Sequence, residues 1–125
     1  MDILLSIKPG YVEKILSGEK KYEYRRSIWA KDSKDIDSVL IYATSPIGKV
    51  VASFKIGRII TGTPEELWEK TNDASGISKD DFFSYFGGVN GYAIEILAVE
   101  KCIPIGIDVF NLKAPPQSFC YVNLD

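Results

Sequence analysis

Apolar and polar residues along this chain follow two different periods, and the places where the period changes mark its elements. Ile3 to Ile7 is a short apolar run with β-branched residues, which predicts a strand. Pro9 then suits the first turn of a helix, because its missing N–H would have no partner there. Tyr11, Val12, Ile15 and Leu16 recur at helical spacing, and Gly18 supplies a left-handed stop. From Lys21 to Arg26 the period drops to two. Tyr22 and Tyr24 fall on one face and Lys21, Glu23 and Arg25 on the other. Lys20 has the wrong parity for that charged set, and is expected to join it through the bend after Gly18.

The same reading carries through the rest of the chain. Ser27 to Asp37 mixes Ser, Asp and Lys around Trp29 and reads as a loop. Ser38 to Ala43 reads as a strand and Thr44 to Gly48 as a turn. Lys49 to Ile60 predicts a long strand with a bend or bulge at Gly57. Thr63-Pro64-Glu65-Glu66 is a capping box with proline at the first helical position, so a short helix should run through Leu67 and Trp68. Ser78-Lys79-Asp80-Asp81 repeats that signal before Phe82, Phe83, Tyr85 and Phe86, whose helical spacing favours core packing over a base-stacking platform. Gly87 to Gly91 lacks the spacing of a phosphate loop and reads as a turn. Tyr92 to Lys101 predicts a strand, Ile103 to Leu112 another extended segment broken by Pro104 and Gly106, and Ser118 to Val122 a last short strand. About six strands with short helices predict an α+β, mainly β fold: a small closed or nearly closed β-barrel with helices packed at its ends. Strands and long helices do not alternate, which disfavours a parallel α/β sheet.

Composition narrows the chemistry. At 125 residues the chain is expected to form one domain, large enough to bury a core without disulfide or metal staples. Histidine is absent, which excludes Ser-His-Asp and Cys-His catalysis and leaves acid–base work to Glu, Asp, Lys or Tyr. Cys102 and Cys120 are expected as buried thiols in strands, and no metal and no cofactor are expected. No apolar run is long enough to span a bilayer, and Asp2 and Lys8 bracket too short an apolar stretch for a secretion signal, so no membrane partner and a cytoplasmic location are expected. The net charge of -2 argues against coating nucleic acid by bulk electrostatics. Its distribution is uneven, with cations concentrated from Lys8 to Lys34 and acids from Glu65 to Asp81. A basic cleft with an acidic flank turned away, and two simple solvated faces, both fit that distribution.

Gly18-x-Lys20-x-x-Glu23-x-Arg25 resembles the G-x-K-x-x-E-x-R signature of ASCH domains, members of the PUA-like β-barrel superfamily. The likeness extends to Ser6-Ile7-Lys8-Pro9, Tyr42-Ala43-Thr44-Ser45-Pro46, Gly48-Lys49-Val50-Val51, Tyr92-Ala93-Ile94 and Pro115-Pro116-Gln117-Ser118-Phe119. The resemblance implies a PUA-like barrel with a cleft for RNA or a modified nucleoside beside the motif. Some such domains are enzymes, either amidohydrolases that deacetylate acetylated cytidine or single-strand ribonucleases. In the amidohydrolase branch the motif supplies a catalytic Lys and a Thr nucleophile. Lys20 matches that Lys, whereas Glu23 stands where the Thr would be.

The candidate ligand-binding set is therefore Ser6, Lys8, Lys20, Lys21, Glu23, Arg25, Tyr42, Thr44, Ser45 and Gln117, with Lys20 and Glu23 as catalytic residues if the protein is an enzyme. Arg25 can fork onto phosphate or carboxylate, Lys20 and Lys21 can act as point charges, and Glu23 can accept from a base amino group or a ribose hydroxyl. A Glu23–Arg25 ion pair that only pins the strand is the structural alternative. Tyr42, Thr44, Ser45, Gln117 and Ser118 either line the cleft or close turns. RNA or nucleoside recognition, which would suit a regulatory role, leads this reading; hydrolysis through Lys20 and Glu23 is the alternative, and a groove for a peptide carboxylate is a third.

Overall fold

Sequence order and spatial order diverge early in this chain. The structure, a computed structural model, describes residues 1–123. β1 (Asp2–Ile7) leads into α1 (Pro9–Ser17) and, after a bend, β2 (Tyr22–Arg25); a loop then returns to β3 (Val39–Ala43). β4 (Lys49–Gly62), α2 (Pro64–Thr71), α3 (Lys79–Phe86), β5 (Gly91–Ile105) and β6 (Phe119–Val122) follow. The six strands form one sheet in the order β2-β5-β4-β3-β1-β6. β1 and β3 pair in parallel and the other neighbours are antiparallel.

Two long strands curl this sheet. The β4–β5 register shifts three times, between Val50 and Ala52, Ser53 and Lys55, and Ile56 and Ile59. Each bulge adds local twist, and together they wrap the sheet into a half-barrel. Gly57 lies in the last of them, where a Cβ would come within 2.3 Å of Glu95 Oε1, the oxygen that accepts the Arg58 N–H. The sheet edges at β2 and β6 share no backbone ladder, so the barrel is not closed by strand pairing.

The main core fills the curl. Ile3, Leu5, Val12, Ile15, Trp29, Val39, Ile41, Phe54 and Ile94 pack there, and all five residues of β3 are buried. Burying a side chain of this type contributes about 1.5–3 kcal/mol each, which makes the α1 face and β3 the anchors of the fold. A second cluster joins Tyr24 of β2 to Leu67, Phe82 and Phe86 of the helices. Both predicted caps form: Thr63 Oγ1 accepts the Glu66 N–H while Glu66 accepts the Thr63 N–H, and Ser78 Oγ accepts the Asp81 N–H.

One expected element differs. Ile103 to Leu112 is not an independent extended segment: its first part continues β5 to Ile105, and Ile107–Phe110 is a 3₁₀ turn. Pro104 is tolerated inside β5 because β2 covers only Tyr92 to Glu95, leaving the outer edge beyond free of a ladder that would need its N–H. Cys102 and Cys120 do lie in β5 and β6, half-buried rather than fully buried, as free thiols held up in pKa by burial. Among the described residues no helix is long and apolar enough to cross a membrane.

Candidate functional site

The site grows from the end of α1. Gly18 adopts φ 84° and its N–H returns to Ile15, a left-handed cap that a side chain would oppose. The Lys20 N–H then bonds the Lys14 carbonyl at 2.9 Å, and this tight bend swings the Lys20 side chain inward. Lys20 is 3% exposed. Its ammonium donates to the Ser75 carbonyl at 2.9 Å, stands 4.0 Å from Glu23 Oε1, and lies over the Tyr24 and Tyr11 rings at 4.7 and 5.3 Å. Burial pushes its pKa from 10.5 down to about 8, while Glu23 pulls the other way and Lys14 and Arg25 add repulsion.

A strap between α2 and α3 makes the back wall. The Lys21 N–H bonds the Ala74 carbonyl at 2.8 Å and Lys14 Nζ bonds the Gly76 carbonyl at 3.3 Å. Gly76, at φ 63°, has no room for a side chain, because a Cβ would come within 2.4 Å of Lys20 Cβ. Backbone thus closes over the lysine stem.

Glu23 and Arg25 form the second half of the site. Arg25 Nε donates to Glu23 Oε2 at 2.9 Å, Nη2 stands 2.8 Å from the same oxygen as an ion pair and donates to the Ser6 carbonyl at 2.7 Å, and Nη1 donates to Ser118 Oγ at 3.2 Å. Charge-assisted bonds of this kind are about twice as strong as neutral ones. The strand-pinning ion pair is therefore present. Arg25 reaches from β2 to β1 and to the residue before β6, and fastens by side chain the two sheet edges that the backbone leaves apart.

These groups face a cavity of about 620 Å³. Ser6, Lys8, Lys20, Glu23, Arg25, Thr44 and Gln117 all line it, so seven of the ten sequence candidates are brought together. Three are not. Lys21 precedes the first residue of β2, so strand parity does not bind it; it lines a separate hollow of about 330 Å³ with Tyr22, Lys70 and Asp73. Tyr42 is buried among Leu4, Leu40, Val50 and Val122. Ser45 is exposed in the turn after β3.

Sequence reasoning missed the opposite wall. Ile77, Asp81, Ser84 and Tyr85 of α3 and its approach line the cavity, as do Tyr11 and Tyr24. Phe82 and Phe86 are core, as expected, whereas Tyr85 is 36% exposed. The available signal was the stripe Asp81, Ser84, Tyr85 at i, i+3 and i+4, next to the buried Phe82–Phe86 stripe. Nor does the acidic segment turn wholly away, because Asp81 joins Glu23 against Lys8, Lys20 and Arg25.

Two phenols in the cavity are held neutral. Tyr24 donates to Thr71 Oγ1 at 2.7 Å, since the Thr71 hydroxyl proton is committed to the Leu67 carbonyl, and burial pushes Tyr24 up to about 12. Burial, then the charges of Asp81 and Glu23, raise Tyr11. The cavity can thus offer ammonium and guanidinium donors, the Tyr11 phenol, and a carboxylate acceptor, Glu23 Oε1. Among the described residues no group of three or more His, Cys, Asp or Glu side chains gathers to hold a metal.

Comparison with known proteins places this arrangement. The chain is 27% identical over 97% of its length to an ASCH domain-containing ribonuclease of Zymomonas mobilis, covering 84% of that protein. It superposes on the crystal structure of ASCH from Zymomonas mobilis with a TM-score of 0.87, at 25% identity, over 98% of this chain and 87% of the other. A serine-to-alanine mutant of the same protein gives a TM-score of 0.88 at 24% identity over 98% and 88% of the two chains. The ASCH domain model matches residues 5–109, a span running from the second half of β1 through β5 and holding Lys20, Glu23 and Arg25, and the chain therefore belongs to the ASCH domain family.

Proposed function

We propose that this protein binds single-stranded RNA, seating one nucleotide in the cavity beside Lys20, Glu23 and Arg25. The observation that carries the reading is the convergence of those three side chains, from a bend and one strand, on a single polar cavity of about 620 Å³. That volume lies within the range of small-ligand sites, roughly 300–1,000 Å³, and suits one unstacked nucleotide rather than a duplex. Lys20 keeps two N–H donors beyond its bond to Ser75, and Glu23 Oε1 can accept from a base amino group or a ribose hydroxyl. The named activity of the Zymomonas mobilis relative supports RNA as the ligand class. A cytoplasmic location belongs to this reading.

Titrating labelled protein with short single-stranded RNAs and nucleosides should shift the amide signals of Lys20, Glu23 and Arg25. RNA affinity should fall as salt rises, while a nucleoside should respond weakly. A panel that leaves all three signals in place overturns the proposal.

Cleavage is a second reading, favoured by the relative's name and by Lys20, whose pKa near 8 allows proton transfer close to neutrality. Breaking an RNA phosphodiester can use the substrate's own 2′-hydroxyl as nucleophile, so the carboxylate at position 23 is no obstacle. Deacetylation of acetylated cytidine lacks that route, because Glu23 replaces the threonine which that branch uses. Single-stranded RNA turnover that persists unchanged in Lys20→Ala and Glu23→Gln would remove the cleavage reading.

A further inference from the structure

Arg26 follows the motif and has no role in the seating of a nucleotide described above. Its guanidinium carbon lies 5.1 Å from the centroid of the Tyr85 ring. Tyr85 lines the cavity, and its ring meets Phe86 edge-on at 5.0 Å. Phe86 is fully buried, so the Tyr85 ring is braced by the core and not loose on the surface. Arg26 itself is exposed, and among the described residues it makes no hydrogen bond or ion pair. A guanidinium held over a ring face is positioned without spending its N–H donors on conventional partners. This combination differs from Arg25, whose donors are engaged by Glu23, Ser6 and Ser118. It also differs from Lys31 and Lys34, which lie in the exposed loop away from the cavity lining.

We infer that the Arg26–Tyr85 pair is a second contact point on the lip of the cavity, where Arg26 takes the phosphodiester that joins the seated nucleotide to its neighbour. The inference rests on the RNA reading and adds to it a lower limit on ligand length. A nucleoside fills the cavity alone; a dinucleotide or longer strand gains the lip as well. Braced donors at fixed distance from the cavity lower the ordering cost of the second contact.

The test compares Arg26→Ala, Arg26→Lys and Tyr85→Leu with the unaltered protein, using a single-stranded RNA tetramer and a nucleoside, which carries no phosphate, as probes in fluorescence-anisotropy competition. Arg26→Ala should weaken the tetramer about five-fold and reduce its salt slope by about one charge, leaving the nucleoside unchanged. Tyr85→Leu should weaken the tetramer by a similar factor because it frees Arg26 from its platform, and Arg26→Lys should recover only part of the affinity. Equal losses for both probes in Arg26→Ala, or no loss for either, overturn the inference while leaving RNA binding in place. A tetramer that the unaltered protein does not bind overturns the RNA reading itself.

Discussion

Lys20 is the side chain whose charge the fold opposes most directly, and neutralising it gives a quantitative test. In the folded protein burial brings its pKa from 10.5 to about 8. Between those values the unfolded chain holds a proton that the folded chain has released, so stability must rise with pH across that window. Below the window the folded protein bears the whole penalty, roughly 3 kcal/mol at about 1.4 kcal/mol per pKa unit. Integrated from pH 7 to pH 10, the relief amounts to about 2.5 kcal/mol. Lys20→Met keeps most of the side-chain volume and removes the titration. Urea unfolding of both proteins at pH 7, 8, 9 and 10 isolates the Lys20 contribution as the difference between them. Tyr24, pushed up to about 12, opposes the trend only near and above pH 10 and is common to both proteins. The difference should move in favour of the unaltered protein by about 2.5 kcal/mol over this range. Parallel stability curves would refute the reasoning, showing that Glu23 and the Tyr11 and Tyr24 ring faces restore the ammonium fully in place.

Three further outcomes follow from the same geometry. Glu23→Gln removes the carboxylate paired with both Lys20 and Arg25 and should cost about 3 kcal/mol of stability while lowering the Lys20 pKa further, the first read by thermal melting and the second by the pH dependence just described. Gly76→Ala sets a Cβ against Lys20 Cβ in a left-handed backbone position and should cost about 2 kcal/mol or more, with RNA affinity falling in the fraction that still folds. Arg25→Lys can replace only one of the bonds to Glu23, Ser6 and Ser118; it should cost about 2 kcal/mol and speed amide exchange in β2 and β6 more than in β3.

Much of this organisation was legible because local chemistry and tertiary packing agree. The capping box at Thr63, the N-cap at Ser78 and the left-handed Gly18 are set by backbone needs that only a few residue types meet. Within β2 parity held in part: Tyr22 and Tyr24 pack on the helical cluster and Glu23 and Arg25 face the cavity, although the Tyr24 ring also reaches the cavity wall beneath Lys20. Lys21 escaped the rule because it lies one residue outside the strand, while Lys20 entered the site through the bend. The α3 wall was hidden for a different reason. Helical spacing shows that Asp81, Ser84 and Tyr85 share a face, but only the path of the chain between α2 and β5 brings that face to β2. The length of β5 was likewise obscured, since Pro104 reads as a break until the neighbouring strand is seen to stop short of it.

The fastening of the half-barrel by Arg25 has one more consequence. The guanidinium that faces the cavity is also the cross-tie between opposite margins of the sheet, so a ligand that draws on its donors pulls on the seam itself. Occupancy and cohesion are therefore coupled at this position, and a substitution there cannot adjust one and leave the other alone.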